Sequence, residues 1–392
     1  MDALSGLRVV DMATVVAAPG TAKYIADFGA DVIKVEAPSG DPARRMGWTA
    51  EGAADSFFWK ILGRGKRCVT LDLKDPADHA RMRQLLDSAD VLIENMRPGK
   101  LEALDLAPDT LWATNPRLVI LRVTGFGQDG PYAMRPGFAT LAEAMSGFSA
   151  LSGEPDGGPL LPPIALTDEV SALVGAFATM VALRHAERTG EGQVVDVNLL
   201  ESMFQLMGPL PAAYADSGYL QPRLGSGIPY TVPRGTYRCA DGVWVAISSS
   251  ADTVALRLLQ LLGIADDQRF ATFRDRSVNR VALEEKMADY VAARPSAEVL
   301  AEFERVDAAI APVMDMQDIV EDPHYRYRRT LVEVDGVLMQ NVVARLSRTP
   351  GRIRHAGRPL GVDNEAVLGE LDSTTTTPAE RKEASRRRAD PR

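Results

Sequence analysis

The aspartate at position 168 stands where a carboxylate could attack a carbonyl carbon. Asp168 directly precedes an apolar stretch that we predict to form a buried helix over residues 169–188. The dipole at the start of such a helix would keep the carboxylate ionised, as a nucleophile requires. Aspartate is also an ordinary N-cap residue, worth about 1 kcal/mol to a helix. The spacing alone favours the cap, so a nucleophilic role needs support from elsewhere in the chain.

The histidines and cysteines offer little material for other kinds of site. The four histidines are scattered over predicted helices and loops, without the spacing of a metal site or a catalytic triad. We interpret all of them as structural: His79, His185, His324 and His355. The two cysteines form no CxxC pair, which argues against a zinc ribbon or a disulfide framework and indicates a reduced compartment.

Composition limits the classes of protein that the chain could belong to. With 392 residues, of which 46% are hydrophobic and 25% charged, it is typical of a soluble globular protein. The net charge of −9 argues against nucleic-acid binding. No signal-peptide pattern is visible, and the longest apolar run, residues 170–183, is shorter than the ~20 residues that span a bilayer. We therefore predict a cytoplasmic protein with no membrane or nucleic-acid partner.

The elements that would position Asp168 begin with a βαβ unit. Residues 7–12 are typical of a buried strand, residues 17–20 of a tight turn, residues 21–28 of a helix and residues 31–36 of a second strand. Such a unit calls for parallel strands, so we predict an α/β fold with a Rossmann-like large domain. The turn lacks the G-x-G-x-x-G pattern, and no NAD or FAD is predicted.

Further core strands are predicted at residues 67–73, 90–95, 118–123 and 193–198. In open α/β sheets, ligands gather at the carboxyl ends of the strands. The loops at residues 15–18, 95–99 and 125–131 follow predicted strands and should therefore line one crevice. The last of these loops is rich in glycine, which would let backbone amides approach a ligand closely.

Changes in amino-acid composition along the chain predict its domain organisation. Residues 1–224 would form the first part of the large domain, and residues 225–325, which begin in a Gly- and Pro-rich segment, a smaller α+β domain. Residues 326–371 would return to the large domain. The polar, Pro-interrupted and cation-rich residues 372–392 are predicted to be a disordered tail.

Many short segments between residues 4 and 371 together carry a family resemblance. They are residues 4–11, 17–19, 27–38, 65–67, 71–74, 94–99, 125–131, 135–138, 166–168, 188–193, 237–242 and 347–350. In this order they resemble the family III coenzyme A transferases, or CaiB/BaiF superfamily. That superfamily includes formyl-CoA and carnitine CoA-transferases and the α-methylacyl-CoA racemases.

The resemblance implies a ring-shaped, interlocked homodimer and makes Asp168 the catalytic carboxylate. It implies acyl-CoA and carboxylic acid substrates and no tightly bound cofactor, with coenzyme A as substrate and product. The same matching implies a set of residues along the bound CoA. These are Val16, Ala17, Leu71, Lys74, Asn95, Met96, Arg97, Gly137 and Phe138.

Several positions depart from the family pattern or leave a role open. Ala37 and Ala103 stand where relatives often carry an arginine, and a lost arginine is a lost phosphate partner. The candidate replacements are Arg44, Arg45, Arg97 and Lys100. The candidates for the acyl pocket are Glu143, which stands where several relatives have glutamine, Tyr132 and Trp48, with packing as the default for the two aromatic residues. Residues 225–227 are either a lid over the site or a plain linker. Glu169 would be a favourable helix-start acid.

Two positions favour the transferase over the racemase. Phe138 stands where racemases carry a histidine, and a phenyl ring cannot relay a proton. Residues 245–252 lack the glutamate that racemases show after the predicted hairpin. We therefore predict an acyl-CoA:carboxylate CoA-transferase that works through mixed anhydride and aspartyl-CoA thioester intermediates on Asp168. The alternatives are an α-methylacyl-CoA racemase or epimerase and a non-catalytic acyl-CoA-binding protein.

Overall fold

The computed structural model describes residues 2–249 and 251–372 and divides the chain into two compact units. The first unit comprises the residues up to Phe148, Leu161–Pro211 and the residues from His324 onward. The second comprises Ser149–Leu160 and Ala212–Pro323. We predicted that the smaller domain begins at residue 225. In the structure the second unit also includes residues 149–160 and 212–224. Of the predicted tail, Asp372 is the last residue of a helix, and residues 373–392 lie outside the described residues.

The first unit is built on a six-stranded parallel sheet. Its strands are β1 (Arg8–Asp11), β2 (Asp31–Glu36), β3 (Lys66–Thr70), β4 (Val91–Glu94), β5 (Val119–Thr124) and β6 (Val194–Asn198). They lie in the order β3-β2-β1-β4-β5-β6, with every neighbouring pair parallel. The predicted α/β class and parallel sheet are confirmed. The chain reverses its direction of winding between β1 and β4, and ligands bind at such a switch point.

Helices cover both faces of this sheet. The helices of the first unit in this part of the chain are α1 (Ala17–Asp27), α2 (Phe57–Leu62), α3 (Pro76–Asp87), α4 (Lys100–Ala103), α5 (Pro108–Trp112), α6 (Ala139–Met145), α8 (Leu166–Thr189) and α9 (Leu199–Phe204). Helices α7 (Phe148–Leu151) and α10 (Leu210–Ser217) lie mostly in the second unit. Successive strand residues point to opposite faces. Val9 therefore packs with α1 and α8 on one side, while Val10 packs with α3 on the other. Both faces are apolar, as parallel strands require.

The start of α1 differs from the prediction. The helix begins at Ala17, so residues 17–20 form its first turn and not a separate tight turn. Pro19 is tolerated there because the first helical residues have no backbone acceptor within the helix. Gly20 is needed for packing, since a Cβ at this position would lie 2.9 Å from the Cβ of Ala172 on α8.

The long helix α8 is buried on one side only. It ends at Gly190, which takes a left-handed conformation with φ 84°. Gly175 lets α1 approach closely, because a Cβ there would lie 2.5 Å from Thr21 Oγ1. The expectation that the helix is buried all round is wrong: Leu173, Phe177 and Val181 are exposed, and Phe177 is 73% exposed.

Helix α8 has 24 residues and is longer than the apolar run, residues 170–183, that we compared with a membrane span. The helix is long and apolar enough to cross a membrane by length and composition alone. This is weak evidence for a membrane span, because the core helix of a soluble protein passes the same test. In the structure α8 packs along α1 and against β5 and β6 of the sheet.

The second unit has its own antiparallel sheet and core. Strands β7 (Arg234–Arg238), β8 (Trp244–Ser248) and β9 (Ala309–Pro312) form the sheet. Its helices are α11 (Asp252–Leu261), α12 (Phe273–Val278), α13 (Arg280–Ala292), α14 (Ser296–Arg305) and α15 (Met316–Glu321). Val245 and Ile247 of β8 point into an apolar core with Leu258, Met287 and Phe303. The predicted hairpin between β7 and β8 is present.

The end of the chain returns to the first unit. Helix α16 (Pro323–Arg328) crosses the boundary and is followed by the hairpin of β10 (Leu331–Val334) and β11 (Val337–Gln340). Helix α17 (Asn364–Asp372) then lies beside β3. Asp363 and Asn364 accept hydrogen bonds from the backbone amides of Cys68 and Thr70, both at 2.8 Å. These side chains cover the open edge of the sheet.

Candidate active site

The loops at the switch point are tied to one another by side chains. Asn95, which follows β4, accepts a hydrogen bond from Thr14 N at 2.9 Å and donates one to Thr14 O at 2.8 Å. Asp41 accepts a hydrogen bond from Val15 N at 3.1 Å. Val15 has a φ of 68°, which a β-branched residue rarely adopts. The turn before Val16 is therefore held in one shape from two sides.

A buried charge network lies beneath this turn. Lys66 Nζ donates to Asp11 Oδ2 at 2.9 Å and to Pro19 O at 2.7 Å, and Lys34 Nζ lies 3.0 Å from Asp41 Oδ2. Although burial works against the charged form of Lys34, Asp11 and Asp41 raise its pKa. Burial would by itself raise the pKa of Asp41, but Lys34 and two backbone amides hold that pKa below its usual value. The network supports the backbone at the ends of β1 and β2.

Asp168 is not the N-cap of α8. The cap residue is Ala165, without a side-chain cap bond, and Asp168 is the third residue of the helix. Within residues 2–249 and 251–372, no hydrogen bond or ion pair to the Asp168 carboxylate is found. Its oxygens are thus available for chemistry, and the interpretation as a structural cap is wrong.

The ionisation of Asp168 differs from the expectation based on the helix dipole. Burial, and next the negative charges of Glu143 and Glu169, raise its pKa to about 6. Desolvation and like charges both disfavour the carboxylate form, and here they outweigh the dipole. Asp168 is therefore a more basic carboxylate than an ordinary aspartate, yet it remains mostly ionised above neutral pH.

The two neighbouring acids are held in different ways. Glu169 accepts a hydrogen bond from Tyr24 Oη at 2.6 Å and lies 3.3 Å from Lys23 Nζ, so α1 supplies its partners. Glu143 is buried on α6, and its Oε1 accepts a hydrogen bond from Thr167 Oγ1 at 3.0 Å. Both acids therefore border the helical turn that carries Asp168.

The glycine-rich loop after β5 approaches the segment before α6 closely. A Cβ on Gly125 or on Gly137 would lie 2.5 Å from the other residue's Cα, so both positions require glycine. Phe138 follows directly and is 69% exposed. Tyr132 is stacked by Arg135, whose guanidinium carbon lies 3.9 Å from the ring centroid. Trp48 is largely exposed.

Most residues that the family resemblance places along CoA follow the carboxyl ends of strands in the parallel sheet. Val16 and Ala17 start α1 after β1, and Asn95 and Met96 follow β4. Three further members of the set follow strands of the same sheet: buried Leu71, exposed Lys74 and exposed Arg97. Gly137 and Phe138 precede α6. The placement agrees with a common crevice, and the contacts with CoA stay a prediction.

Of the four candidate partners for a CoA phosphate, Arg44 is already engaged within the fold. Arg44 is buried and donates to Glu36 Oε1 and Oε2 at 2.7 and 2.8 Å and to Asp55 Oδ1 at 2.9 Å. Its guanidinium also stacks on Trp59 at 3.8 Å. All three nitrogens of Arg44 are thus used within the fold. The remaining candidates are exposed: Arg45, Arg97 and Lys100.

Sequence reasoning missed the supporting residues of the site. Lys34 stands between the apolar Ile33 and Val35 in a buried strand, and Lys66 begins another strand. These lysines are the signal that could have pointed to the charge network. Lys23 and Tyr24 gave no comparable signal, because polar residues on a predicted helix are usually solvated. No group of three or more metal-ligating side chains is found in the part of the chain that the structure describes.

Comparison with known proteins identifies the family. The model of CoA-transferase family III matches residues 4–364. The chain belongs to CoA-transferase family III. The resemblance inferred from its motifs is thereby confirmed, and the protein is an enzyme of the CoA-transferase type.

Individual relatives of this CoA-transferase agree along almost its whole length. The succinyl-CoA–L-malate CoA-transferase beta subunit of Chloroflexus aurantiacus is 40% identical over 380 residues, with 94% of each chain covered. The alpha subunit from the same organism is 37% identical and covers 94% of this chain and 88% of its own. A crystal structure of a CaiB/BaiF family protein from Brucella suis has a TM-score of 0.85 and 32% identity, covering 95% of this chain and all of that one.

Proposed function

We propose that this CoA-transferase moves CoA from an acyl-CoA to a carboxylic acid through covalent intermediates on Asp168. The observation that carries the proposal is the half-buried Asp168 carboxylate, which has a raised pKa and is bound by no side chain or amide of the described residues. Such a group is both ionised at neutral pH and more nucleophilic than an ordinary aspartate. Membership of family III supplies the substrate chemistry.

The reaction would proceed by exchange of acyl groups on one carboxylate. Asp168 attacks the thioester carbon of the donor, forms a mixed anhydride and releases CoA thiolate. The thiolate attacks Asp168 Cγ, which leaves the aspartyl-CoA thioester and the free donor acid. The acceptor carboxylate then attacks Asp168 Cγ and expels CoA thiolate, which gives a second anhydride. The thiolate attacks the carbonyl carbon of the acceptor, forms the product acyl-CoA and releases the Asp168 carboxylate. An anhydride keeps the acyl group activated, so little of the thioester energy is lost.

Oxyanions that develop at the attacked carbonyls need hydrogen-bond donors. The backbone amides of Ala17 and Ala18 are candidates, because they lie in the first turn of α1, where amides have no acceptor within the helix. The amide of Val15, in the same loop, donates to Asp41 instead. Residues 225–227 form a turn in the second unit, where Gly225 N donates to Gly153 O at 3.0 Å. Their role as a lid stays a prediction.

The names of the relatives indicate a class of substrate. Two of them are succinyl-CoA–L-malate CoA-transferase subunits, at 40% and 37% identity. We propose a dicarboxylic acyl-CoA donor and a short dicarboxylic or hydroxydicarboxylic acceptor. A panel that pairs succinyl-CoA and monocarboxylic acyl-CoAs with malate, glutarate and short fatty acids tests this, with product acyl-CoA measured by chromatography. Transfer among monocarboxylic pairs only would contradict the proposed class.

The pH dependence of the transfer follows from the ionisation of Asp168. Only the carboxylate attacks, and its pKa is raised to about 6 by burial and by the charges of Glu143 and Glu169. We expect kcat/KM to be level at neutral and mildly alkaline pH and to fall about tenfold per pH unit well below pH 6. A profile that stays level down to pH 4 would contradict the raised pKa.

We propose that two copies of this chain form the interlocked homodimer of the family. The apolar face of α8, with Leu173, Phe177 and Val181 exposed, supports an assembly because such a patch favours a protein partner. Light scattering on the purified chain should give twice the chain mass. A monomer that becomes active only with a second, related chain would instead favour a heteromer, as the names of the alpha and beta subunits suggest. Cytoplasmic localisation stays a prediction.

A further inference from the structure

Glu143 places a second carboxylate next to the turn that carries Asp168. Glu143 is 4% exposed, and its helix α6 packs against α8. Its Oε1 accepts the hydrogen bond from Thr167 Oγ1 at 3.0 Å, and Thr167 is itself fully buried. Thr167 directly precedes Asp168 in the first turn of α8. The contact therefore fixes a buried acid at the turn of helix that bears the proposed nucleophile.

The charge of Glu143 acts on Asp168 from a neighbouring helix. After burial, Glu143 is the largest cause of the raised pKa of Asp168. Glu169 acts in the same direction, but Lys23 on α1 offsets its charge, and Tyr24 donates a hydrogen bond to its carboxylate.

The charged residues on the other elements that pack against α8 are engaged elsewhere. Arg122 on β5 pairs with Glu94 and Glu102, both at 2.7 Å. Asp196 on β6 accepts a hydrogen bond from Gln128 N at 2.8 Å. The exposed Glu201 on α9 does not contribute to the pKa shift of Asp168. Glu143 is thus the acid on a neighbouring element whose charge raises the pKa of Asp168.

We propose that Glu143 drives CoA onto Asp168 by repelling its free carboxylate. This inference rests on the proposed covalent function. The free Asp168 side chain is charged, whereas the aspartyl-CoA thioester at the same atom is neutral. Repulsion between Glu143 and Asp168 therefore disappears when the thioester forms, and the equilibrium of the first half-reaction moves toward it. Glu143 acts through Asp168 and is a positioning residue.

The same repulsion directs the breakdown of the mixed anhydride. Attack of the CoA thiolate on Asp168 Cγ forms a C–S bond, and the bond from Cγ to the bridging oxygen breaks, so the donor carboxylate leaves with the electron pair. Attack on the donor carbonyl carbon instead expels the Asp168 carboxylate and restores the acyl-CoA. No proton moves in either case. Expelling a charge beside Glu143 is less favourable, so the productive direction is preferred.

The test compares the half-reaction in the wild type and in Glu143→Gln. Each protein is mixed with the acyl-CoA that turns over fastest and with a fixed excess of its free acid, and the CoA-adduct fraction is read by intact-protein mass. We expect Glu143→Gln to lower the equilibrium constant roughly three- to tenfold and to move the acid limb of kcat/KM to lower pH. Glu201→Gln removes the same charge from α9 and should match the wild type.

The conservative variant Glu143→Asp keeps the charge and separates a charge effect from a packing effect. We expect its adduct fraction and acid limb to stay closer to the wild type than those of Glu143→Gln. An unchanged equilibrium constant and acid limb in Glu143→Gln would overturn the inference, as would equal effects of the Asp and Gln variants. Absence of any adduct on the wild type would instead contradict the proposed function itself.

Discussion

Replacing Asp168 by asparagine should lower kcat for CoA transfer by at least about a thousandfold. The amide keeps the shape of the side chain but cannot form the anhydride, and no other described acid borders the same turn without a hydrogen-bonded partner. Turnover is measured as the rate of product acyl-CoA formation under saturating donor and acceptor.

The matched control for Asp168→Asn is Asp109→Asn. Asp109 is an exposed aspartate in the first turn of α5, and its replacement should leave kcat unchanged. Calorimetry should show that Asp168→Asn still binds acyl-CoA, since the substitution removes the reaction and not the binding surface. If Asp168→Asn turned over at the wild-type rate, the protein would not use this residue as a nucleophile.

Replacing Asp11 by asparagine should lower the free energy of unfolding by about 3–5 kcal/mol, because a buried ion pair loses one partner. Asp11 is fully buried and contacts Lys66 Nζ at 2.9 Å, with Lys34 Nζ at 3.8 Å. Without the carboxylate, two ammonium groups would share the remaining partners in the interior. Urea unfolding followed by circular dichroism measures the change.

An exposed ion pair serves as the control for Asp11→Asn. Arg184 lies 3.4 Å from Glu187 on the surface of α8, and Arg184→Ala should change the free energy of unfolding by no more than about 0.5 kcal/mol. Equal effects of the two substitutions would mean that the buried network does not stabilise the switch-point turn in the way described.

The sheet was predictable because its strands carry a local signal. Residues 31–36 were predicted as a strand, and β2 spans Asp31–Glu36. The helix start at Ala17 was missed because Ala-Ala-Pro-Gly is typical of a turn when its neighbours are unknown. Its glycine is in fact selected by the close approach of Ala172, more than 150 positions away in the chain, which no local pattern reveals.

The part of the site that depends on a local motif was predictable, and the part that depends on packing was not. Asp168 could be singled out from a motif, whereas its raised pKa depends first on burial and then on Glu143, which the packing of α6 against α8 brings near. The exposed face of α8 could not be predicted either, since exposed and buried apolar residues give the same signal in the sequence. The buried charge network was more predictable, because Lys34 is a charged residue inside a strand of the core.

The most direct test of the central claim is the intact mass of the protein after incubation with the acyl-CoA substrate in heavy water. The account predicts a CoA-sized adduct on the wild type, located at Asp168 by peptide mapping, absent from Asp168→Asn, and no deuterium at the α-carbon of the acyl chain. Deuterium at the α-carbon without an adduct would contradict it and indicate a racemase.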